Sequence, residues 1–144
     1  MVVNVQVTFD AAEPRTLGAF WRDLLEYDED PPPPGYDSWD ALMDEMGLSE
    51  EERGNWYACL DPNGQGPRLF FQRVPEGKTA KNRVHLDVNV GKPRTDPPED
   101  QRRRVDAAVG RALAAGATQS RVLEERGEYC VVMADPEGNE FCLQ

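Results

Sequence analysis

Histidine, cysteine and long apolar runs are scarce in this sequence of 144 residues. Its one histidine is His85, and its three cysteines, Cys59, Cys130 and Cys142, lie far apart and form no Cys-x-x-Cys pair. A zinc ribbon and a dithiol redox motif are therefore excluded. Because the odd, widely spaced cysteines indicate no disulfide framework, we expect a reducing, cytoplasmic environment. No apolar stretch approaches the roughly 20 residues that cross a bilayer, so we expect no membrane partner.

Basic residues are also in the minority. The 16 lysines and arginines stand against 27 aspartates and glutamates, which gives a formal net charge of −11 at pH 7. Recognition of DNA or RNA depends on cationic side chains that neutralise phosphates, so we expect no nucleic-acid partner. The length and a hydrophobic content of 39% are typical of one globular domain, which we expect to span residues 1–144.

The two halves of the chain repeat one short pattern. In the first half the sequence DPNG at 61–64 precedes LFFQ at 69–72, and in the second half DPEG at 135–138 precedes FCLQ at 141–144. Proline and glycine at these positions favour a tight turn, and the apolar residues that follow favour a strand. Each half is therefore predicted to end in a strand that finishes with glutamine.

The starts of the halves correspond as well. Residues 4–10 and 83–89 alternate polar and apolar side chains, with the period of a half-buried strand. A helix is predicted after each strand. The apolar stripe of the first helix is Leu17, Phe20, Trp21, Leu24 and Leu25, and that of the second is Val105, Val109, Ala112 and Leu113, ended by Gly116.

Further strands complete each half. They are predicted at 118–123, 129–134 and 139–143 in the second half and at 55–60 and 68–74 in the first. Where the first half should have its remaining strand, residues 31–54 begin with four prolines and are predicted to be an insertion. Ser38 and Ser49 are predicted to cap two short helices within it.

This repeated strand–helix–three-strand unit resembles the vicinal oxygen chelate superfamily, in particular its glyoxalase-like and bleomycin-resistance-like members. The resemblance is carried by the helix with Leu17, Phe20 and Trp21, by KNRVHLD at 81–87, by GAT at 116–118 and by DPEGNEF at 135–141. It implies an α+β fold in which two tandem modules, residues 2–74 and 83–144, form a cup of curved mixed sheet with helices on the outer face.

In such a cup, alternation assigns the side chains of the first strands to opposite faces. The apolar residues expected against the helices are Val5, Val7, Phe9, Val84, Leu86 and Val88. The residues expected on the concave face are Asn4, Gln6, Thr8, Arg83, His85, Asp87 and Asn89, with Phe70 and Cys142 from the last strands. We predict that a small organic molecule binds there, with contacts from Gln6, Thr8, Trp39, Trp56, Phe70, Gln72, Glu140 and Cys142.

The resemblance also implies where a metal would be held, because metalloenzymes of the superfamily place one ligand on the first and one on the last strand of each module. These positions are Gln6, Phe70, His85 and Cys142. Phe70 has no donor atom and Cys142 replaces the usual glutamate, so the set suits neither magnesium, manganese nor iron(II). We therefore expect no resident metal cofactor. If a divalent metal is bound, its expected ligands are Gln6, His85 and Glu140.

His85 and Asp87 are the candidates for catalysis. A neutral histidine beside a carboxylate can act as a general base or as an orienting donor, and it can equally be a hydrogen-bonded structural residue. The aromatic residues at the ends of the insertion, Tyr36, Trp39, Trp56 and Tyr57, are candidates for the rim of the pocket. Alternatively, Trp39, Leu42, Met43 and Met46 pack on the domain at helical spacing.

The preferred hypothesis is a glyoxalase-like protein that binds a small organic molecule without a complete metal site. The first alternative is a metal-dependent lyase, isomerase or dioxygenase of the same superfamily. The second is a drug-sequestering resistance protein that binds without chemistry. Resistance proteins of this fold usually need a second copy to complete their clefts, so a homodimer is also an expectation. The fold alone does not choose among these functions.

Overall fold

The computed structural model describes residues 1–144 and divides the chain into two compact units. Residues 1–77 form unit 1, and residues 78–144 form unit 2. No helix in either unit combines the length and the hydropathy that a membrane span requires.

Unit 1 contains four strands and three helices. They are β1 (Gln6–Ala11), α1 (Pro14–Leu25), β2 (Asp28–Glu29), α2 (Trp39–Glu45), α3 (Glu50–Arg53), β3 (Trp56–Leu60) and β4 (Arg68–Arg73). The strands form one sheet in the order β1-β4-β3-β2. β1 runs parallel to β4, and the other neighbours are antiparallel.

Unit 2 repeats this arrangement with one helix. Its elements are β5 (Leu86–Val88), α4 (Pro98–Ala114), β6 (Thr118–Glu125), β7 (Glu128–Ala134) and β8 (Glu140–Leu143). The sheet order is β5-β8-β7-β6, again with a parallel first pair. The predicted α+β fold with two tandem modules is therefore confirmed.

The core of unit 1 lies between α1 and one face of the sheet. The buried stripe of α1 consists of Pro14, Leu17, Phe20, Trp21 and Leu24. Phe9 stacks on Phe71 with 4.9 Å between ring centroids and packs on Trp21 at 5.2 Å. Aromatic pairs of this kind add about 0.5–1.5 kcal/mol to the stabilisation from area burial. Gly18 lets the helix approach the sheet, because a Cβ there would lie 2.0 Å from Cδ1 of Tyr57.

The core of unit 2 lies between α4 and its own sheet. The buried residues are Val105, Ala108, Val109 and Ala112 on the helix and Val131, Met133, Phe141 and Leu143 on β7 and β8. Leu113, predicted to lie in the buried stripe, is 45% exposed, so that prediction is wrong. At 3.6 residues per turn the stripe that contains Val105 and Ala112 passes through Ala108 and leaves Leu113 at its edge.

The first strand of each unit is shorter than its alternation predicts. β1 starts at Gln6 and β5 at Leu86, so Val5 and Val84 lie outside the sheets and are 71% and 79% exposed. The expectation that both valines pack against the helices is wrong. Each strand begins only where a neighbouring strand pairs with it. The pairing of β1 with β4 begins at Gln6, and residues 83–84 form a bend before β5.

α1 and α4 end in the same way, although only α4 ends on glycine. Gly116 has φ +101°, and the N–H groups of Gly116 and the next residue donate to carbonyls of the last turn of α4. This is the Schellman arrangement, and the predicted helix stop is confirmed. At the end of α1, Glu26 has φ +57°, and the N–H groups of Glu26 and Tyr27 donate to the carbonyls of Asp23 and Arg22 in the same pattern. A side chain with a Cβ is strained in this left-handed conformation, whereas glycine is not.

The insertion contains the two short helices that the sequence predicts. The hydroxyl of Ser38 accepts a hydrogen bond from the N–H of Ala41 at the start of α2. At the start of α3, Ser49 and Glu52 form a reciprocal capping box. Residues 31–37, which include the four prolines, have no regular secondary structure.

The strand that the insertion was expected to replace is present in reduced form. β2 consists of Asp28 and Glu29, which pair with Leu60 and Cys59 of β3. The first module therefore does contain this strand, shortened to two residues just before the insertion. No sequence pattern marks it, because aspartate and glutamate have low strand propensity and the pairing with β3 imposes the conformation.

Candidate functional site

Three potential donor side chains of unit 2 lie together on β5 and β8. Asp87 pairs with Cys142 across the parallel strands, and His85 directly precedes β5. Nδ1 of His85 lies 3.3 Å from Oδ1 of Asp87, and one ligand atom from each of the three residues lies within 4.8 Å of the others. The side chains of His85 and Asp87 are 45% and 46% exposed. The two residues predicted for catalysis are therefore adjacent and open to solvent.

Cys142 is the more protected member of this group. Burial raises the pKa of its thiol to about 12, and hydrogen bonds with Cys130 and Asp87 act in the same direction. Cys142 pairs with Val132 of β7, which makes Cys130 its diagonal neighbour on the same face of the sheet. The thiol is protonated at neutral pH and is a weak nucleophile in this state.

Glu140, another predicted contact, is held by other partners. One of its carboxylate oxygens accepts a hydrogen bond from the backbone N–H of Asn82 at 2.9 Å and lies 3.2 Å from Nζ of Lys78. The backbone N–H groups of Asn82 and of Glu140 itself, helped by Lys78, lower the pKa of Glu140 to about 2. This carboxylate fixes the segment that leads into β5.

The corresponding face of unit 1 presents different groups. Gln6 and Thr8 of β1 stand opposite Arg68 and Phe70 of β4. Gln6, Thr8 and Phe70 take the positions that His85, Asp87 and Cys142 occupy in unit 2, and Arg68 takes the position of Glu140. Oε1 of Gln6 accepts a hydrogen bond from Nη1 of Arg68 at 2.6 Å, and Nη2 of Arg68 lies 2.6 Å from a carboxylate oxygen of Asp30. The guanidinium also lies 5.4 Å from the ring centroid of Phe70.

A cavity of about 270 Å³ opens in unit 1 beside this arginine. Its apolar wall includes Trp39, Met43, Trp56, Tyr57 and Phe70, and its charged wall includes Arg15, Glu29 and Arg68. Nε1 of Trp39 donates a hydrogen bond to the carbonyl of Asp30 at 2.6 Å, and Met43 is buried. The insertion therefore packs on unit 1 and lines its cavity at the same time.

The glutamine near the end of each repeated strand makes an equivalent side-chain bond in both units. Nε2 of Gln72 donates to Oδ1 of Asp10 at 2.9 Å, and Nε2 of Gln144 donates to Oδ1 of Asn89 at 3.2 Å. Gln72, predicted to contact a ligand, thus ties the last strand of its module to the first.

A second cavity, of about 700 Å³, lies in unit 2 near the start of α4 and was not predicted. Arg102 is stacked over Tyr129 with its guanidinium 4.3 Å from the ring centroid. Salt bridges join Arg102 to Glu124 and Arg94 to Glu128, so these four charges in its wall are paired.

Sequence reasoning also missed Arg68. The sequence does contain a signal for this residue. Arg68 lies two residues before Phe70, so the two side chains share one face of the strand.

The profile of one family, described as the glyoxalase-like domain, matches residues 6–144. The chain belongs to this family. The resemblance to the vicinal oxygen chelate superfamily inferred from the sequence is thereby confirmed. No curated protein sequence matches the chain significantly.

Solved structures share the glyoxalase-like fold. A glyoxalase/bleomycin resistance protein/dioxygenase family enzyme from Burkholderia phytofirmans PsJN is 20% identical with a TM-score of 0.57, covering 97% of this chain and 94% of that one. The fosfomycin resistance protein FosX from Mesorhizobium loti is 11% identical with a TM-score of 0.64, covering 100% and 92%. A FosX mutant from Listeria monocytogenes, solved with Mn(II) and 1S,2S-dihydroxypropylphosphonic acid, is 13% identical with a TM-score of 0.64 and the same coverage. Identities this low show the fold alone.

The donor groups of this glyoxalase-like chain do not suit a manganese-type ion. Such hard cations prefer carboxylate, carbonyl and water oxygens. In unit 1, Gln6 is already bonded to a guanidinium and Phe70 has no donor atom. In unit 2 the group contains one carboxylate, one imidazole and one thiol, which is not the oxygen-rich shell that such an ion prefers. We assign no chemical step to a hard metal.

Proposed function

We propose that this glyoxalase-like protein binds a small organic molecule in the aromatic cavity of unit 1. The observation that carries the proposal is the wall formed by Trp39, Trp56 and Phe70, three of the residues selected from the sequence as ligand contacts. Pockets for small molecules are mostly apolar, with a few fixed polar groups that orient the ligand. Here those polar groups are Arg68 and Glu29.

The ligand best suited to this cavity has a flat, apolar body. Aromatic walls favour stacking and edge contacts with a ring, and the cavity volume of about 270 Å³ limits the ligand to a small one. Arg68 is already engaged by Asp30 and Gln6, so its charge is compensated before a ligand arrives. We therefore expect the affinity to come chiefly from apolar contact, with Arg68 holding the wall in place.

The test is ligand identification followed by truncation of the wall. Native mass spectrometry of the purified protein and a screen of small aromatic compounds supply ligands, and the fluorescence of Trp39 and Trp56 reports binding. Phe70→Ala is expected to weaken binding by about 1–2 kcal/mol, or roughly tenfold, because it removes buried apolar contact. Tyr129→Ala truncates an aromatic wall of the unit 2 cavity and is the matched control, expected to leave affinity unchanged. Loss of binding in Tyr129→Ala with full affinity in Phe70→Ala would move the site to unit 2.

The adjacency of His85 and Asp87 supports a second candidate, an enzyme that uses this pair for proton transfer. A carboxylate 3.3 Å from Nδ1 orients the imidazole and leaves its other nitrogen available to a substrate. Lyases and isomerases that abstract a proton from their substrate use such a base. If a substrate that the protein converts is found, His85→Ala is expected to lower its kcat at least about 100-fold. Binding with no turnover would instead favour the drug-sequestering type of protein.

Two further expectations from the sequence remain proposals. A cytoplasmic location accords with three free cysteines and is tested by cell fractionation. A homodimer accords with the resistance-protein alternative and is tested by analytical ultracentrifugation at several protein concentrations.

A further inference from the structure

The cavity of about 700 Å³ in unit 2 has no part in the proposed function, which uses the cavity of unit 1. Its volume lies within the range of about 300–1,000 Å³ that is usual for small-molecule sites. Equal numbers of cationic and anionic side chains line it, namely Lys92, Arg94, Arg102, Glu99, Glu124 and Glu128. Salt bridges join Arg94 to Glu128 and Arg102 to Glu124. One cation, Lys92, and one carboxylate, Glu99, therefore remain.

The side chains of Lys92 and Glu99 have no charged or hydrogen-bonding partner. They line the same cavity but form no salt bridge with each other. Glu99 lies in the first turn of α4, where the helix dipole favours a negative charge. Two opposite charges that stay apart in one cavity suit a molecule that carries both, because each charged end of that molecule finds a partner of its own.

The loop that carries this lysine is fixed to α4 before a ligand arrives. Nη2 of Arg104 donates a hydrogen bond to the carbonyl of Gly91 at 2.8 Å and lies 3.0 Å from a carboxylate oxygen of Asp96. Nε2 of Gln101 donates to the carbonyls of Arg94 and Asp96 at 3.1 and 2.6 Å. A binding site whose backbone is already ordered loses less free energy to ordering when a ligand binds.

An aromatic surface completes the wall of this cavity. The guanidinium of Arg102 lies over the ring of Tyr129, 4.3 Å from its centroid. The hydroxyl of Tyr129 donates a hydrogen bond to Oδ1 of Asp106 at 2.6 Å, which fixes the position of the ring. Aromatic rings and guanidinium planes both pack favourably against a further flat group. A ligand with an aromatic body therefore suits this wall better than an aliphatic one.

We infer that unit 2 holds a second binding site, for a small zwitterion with an aromatic body. Lys92 contacts the carboxylate of this ligand, Glu99 contacts its ammonium group, and the aromatic body packs on Arg102 and Tyr129. Aromatic amino acids and short peptides with an aromatic residue share this chemistry. The inference goes beyond the proposed function, because it concerns a different unit and a ligand recognised by its charges.

The test is isothermal titration calorimetry of the full-length chain with two probes, L-phenylalanine and the dipeptide phenylalanyl-phenylalanine. At least one is expected to bind, and the tighter of the two distinguishes a free amino acid from a peptide as the source of the ligand. Conversion of the carboxylate to an amide, or of the amine to an N-acetyl group, is expected to weaken binding at least about fivefold. Each change removes one charge-assisted contact.

Two substitutions connect these losses to particular side chains. Lys92→Gln is expected to weaken binding of the zwitterion about fivefold and to leave the affinity of the amide unchanged, because the amide has no carboxylate contact to lose. Glu99→Gln is expected to weaken binding of the zwitterion to a similar extent and to leave the affinity of the N-acetyl derivative unchanged. Such non-additivity identifies groups that contact each other directly.

Matched controls separate these contacts from general effects of charge. Lys81→Gln and Glu125→Gln make the same charge changes in unit 2 outside the cavity, and both are expected to keep full affinity. Phe70→Ala truncates the wall of the unit 1 cavity and is expected to leave binding of the zwitterion unchanged. Circular dichroism of each variant establishes that it is folded. The inference is overturned if neither probe binds, if the blocked probes bind as tightly as the zwitterion, if folded Lys92→Gln or Glu99→Gln keeps full affinity, or if Phe70→Ala loses it.

Discussion

Units 1 and 2 share a scaffold but present different chemistry on it. Both have the same strand order, the same parallel pairing of first and last strands and the same glutamine bond between them. On the face turned away from the helix, unit 1 presents Arg68 and Phe70, whereas unit 2 presents His85, Asp87 and Cys142. The strand pairing and the glutamine bond common to both units hold the sheets together. The side chains on the face away from the helix are not needed for this and differ between the units.

The two units also differ in net charge. Residues 1–77 hold 16 acidic and 5 basic side chains, and residues 78–144 hold 11 of each. The net charge of −11 therefore belongs to unit 1 alone. Surface charge influences solubility and encounter with partners without determining the fold, which explains how one scaffold accommodates both distributions.

The largest expected effect on stability comes from truncating one side chain in the core of each unit. Phe71 and Leu143 occupy equivalent register positions and are both inaccessible. Phe71→Ala is expected to lower the free energy of unfolding by about 3–5 kcal/mol and Leu143→Ala by about 2–5 kcal/mol, because each leaves a cavity. All three tryptophans lie in unit 1, so urea unfolding followed by tryptophan fluorescence reports unit 1, while circular dichroism reports the whole chain. A loss below about 1 kcal/mol in either variant would contradict the proposed core.

A smaller effect on stability is expected at the ends of α1 and α4, where unit 1 has Glu26 and unit 2 has Gly116 in the left-handed conformation. Gly116→Ala places a Cβ at φ +101° and is expected to cost about 1 kcal/mol or more. Glu26→Gly relieves the same conformation in α1 and is expected to stabilise unit 1 by up to about 1 kcal/mol. Thermal denaturation of the two variants checks whether the signs are opposite. Changes of the same sign would show that the two ends are not equivalent.

The smallest effect is expected from the shared glutamine bond. Gln72→Ala and Gln144→Ala each remove one bond between first and last strands at an accessible position, and each is expected to cost about 0.5 kcal/mol. Gln119→Ala on the exposed strand β6 serves as the control, with no change expected in the urea midpoint. If only one of the two variants is destabilised, the bond contributes differently in the two units.

The sequence was sufficient where local chemistry determines the structure. Asp61 and Asp135 start their turns by accepting hydrogen bonds from backbone N–H groups a few residues ahead, as expected for a DPxG sequence. Ser38 and Ser49 cap their helices for the same local reason. The DPxG turns, repeated at matching positions together with the alternating first strands, were enough to predict the tandem modules.

Features that depend on distant partners could not be predicted in this way. β2 exists because β3 pairs with it, and Glu26 takes a strained conformation because the chain must leave α1 there. In the candidate site, Trp39, Trp56 and Phe70 were recognised as aromatic residues near an insertion, but the role of Arg68 depends on Asp30, 38 positions away in the sequence. The grouping of His85, Asp87 and Cys142 needed the pairing register of β5 and β8.

The position of the insertion has a practical consequence for protein engineering. Residues 30–55 connect β2 to β3, whereas residues 126–127 make the equivalent connection between β6 and β7 as a two-residue turn. Loop-closure entropy grows only with the logarithm of length, so the longer connection costs roughly 2 kcal/mol more to close, and capped helices and the Trp39 bond offset part of that. The turn at 126–127 is thus a natural acceptor point for grafted segments, through which unit 2 could be given a recognition loop that it now lacks.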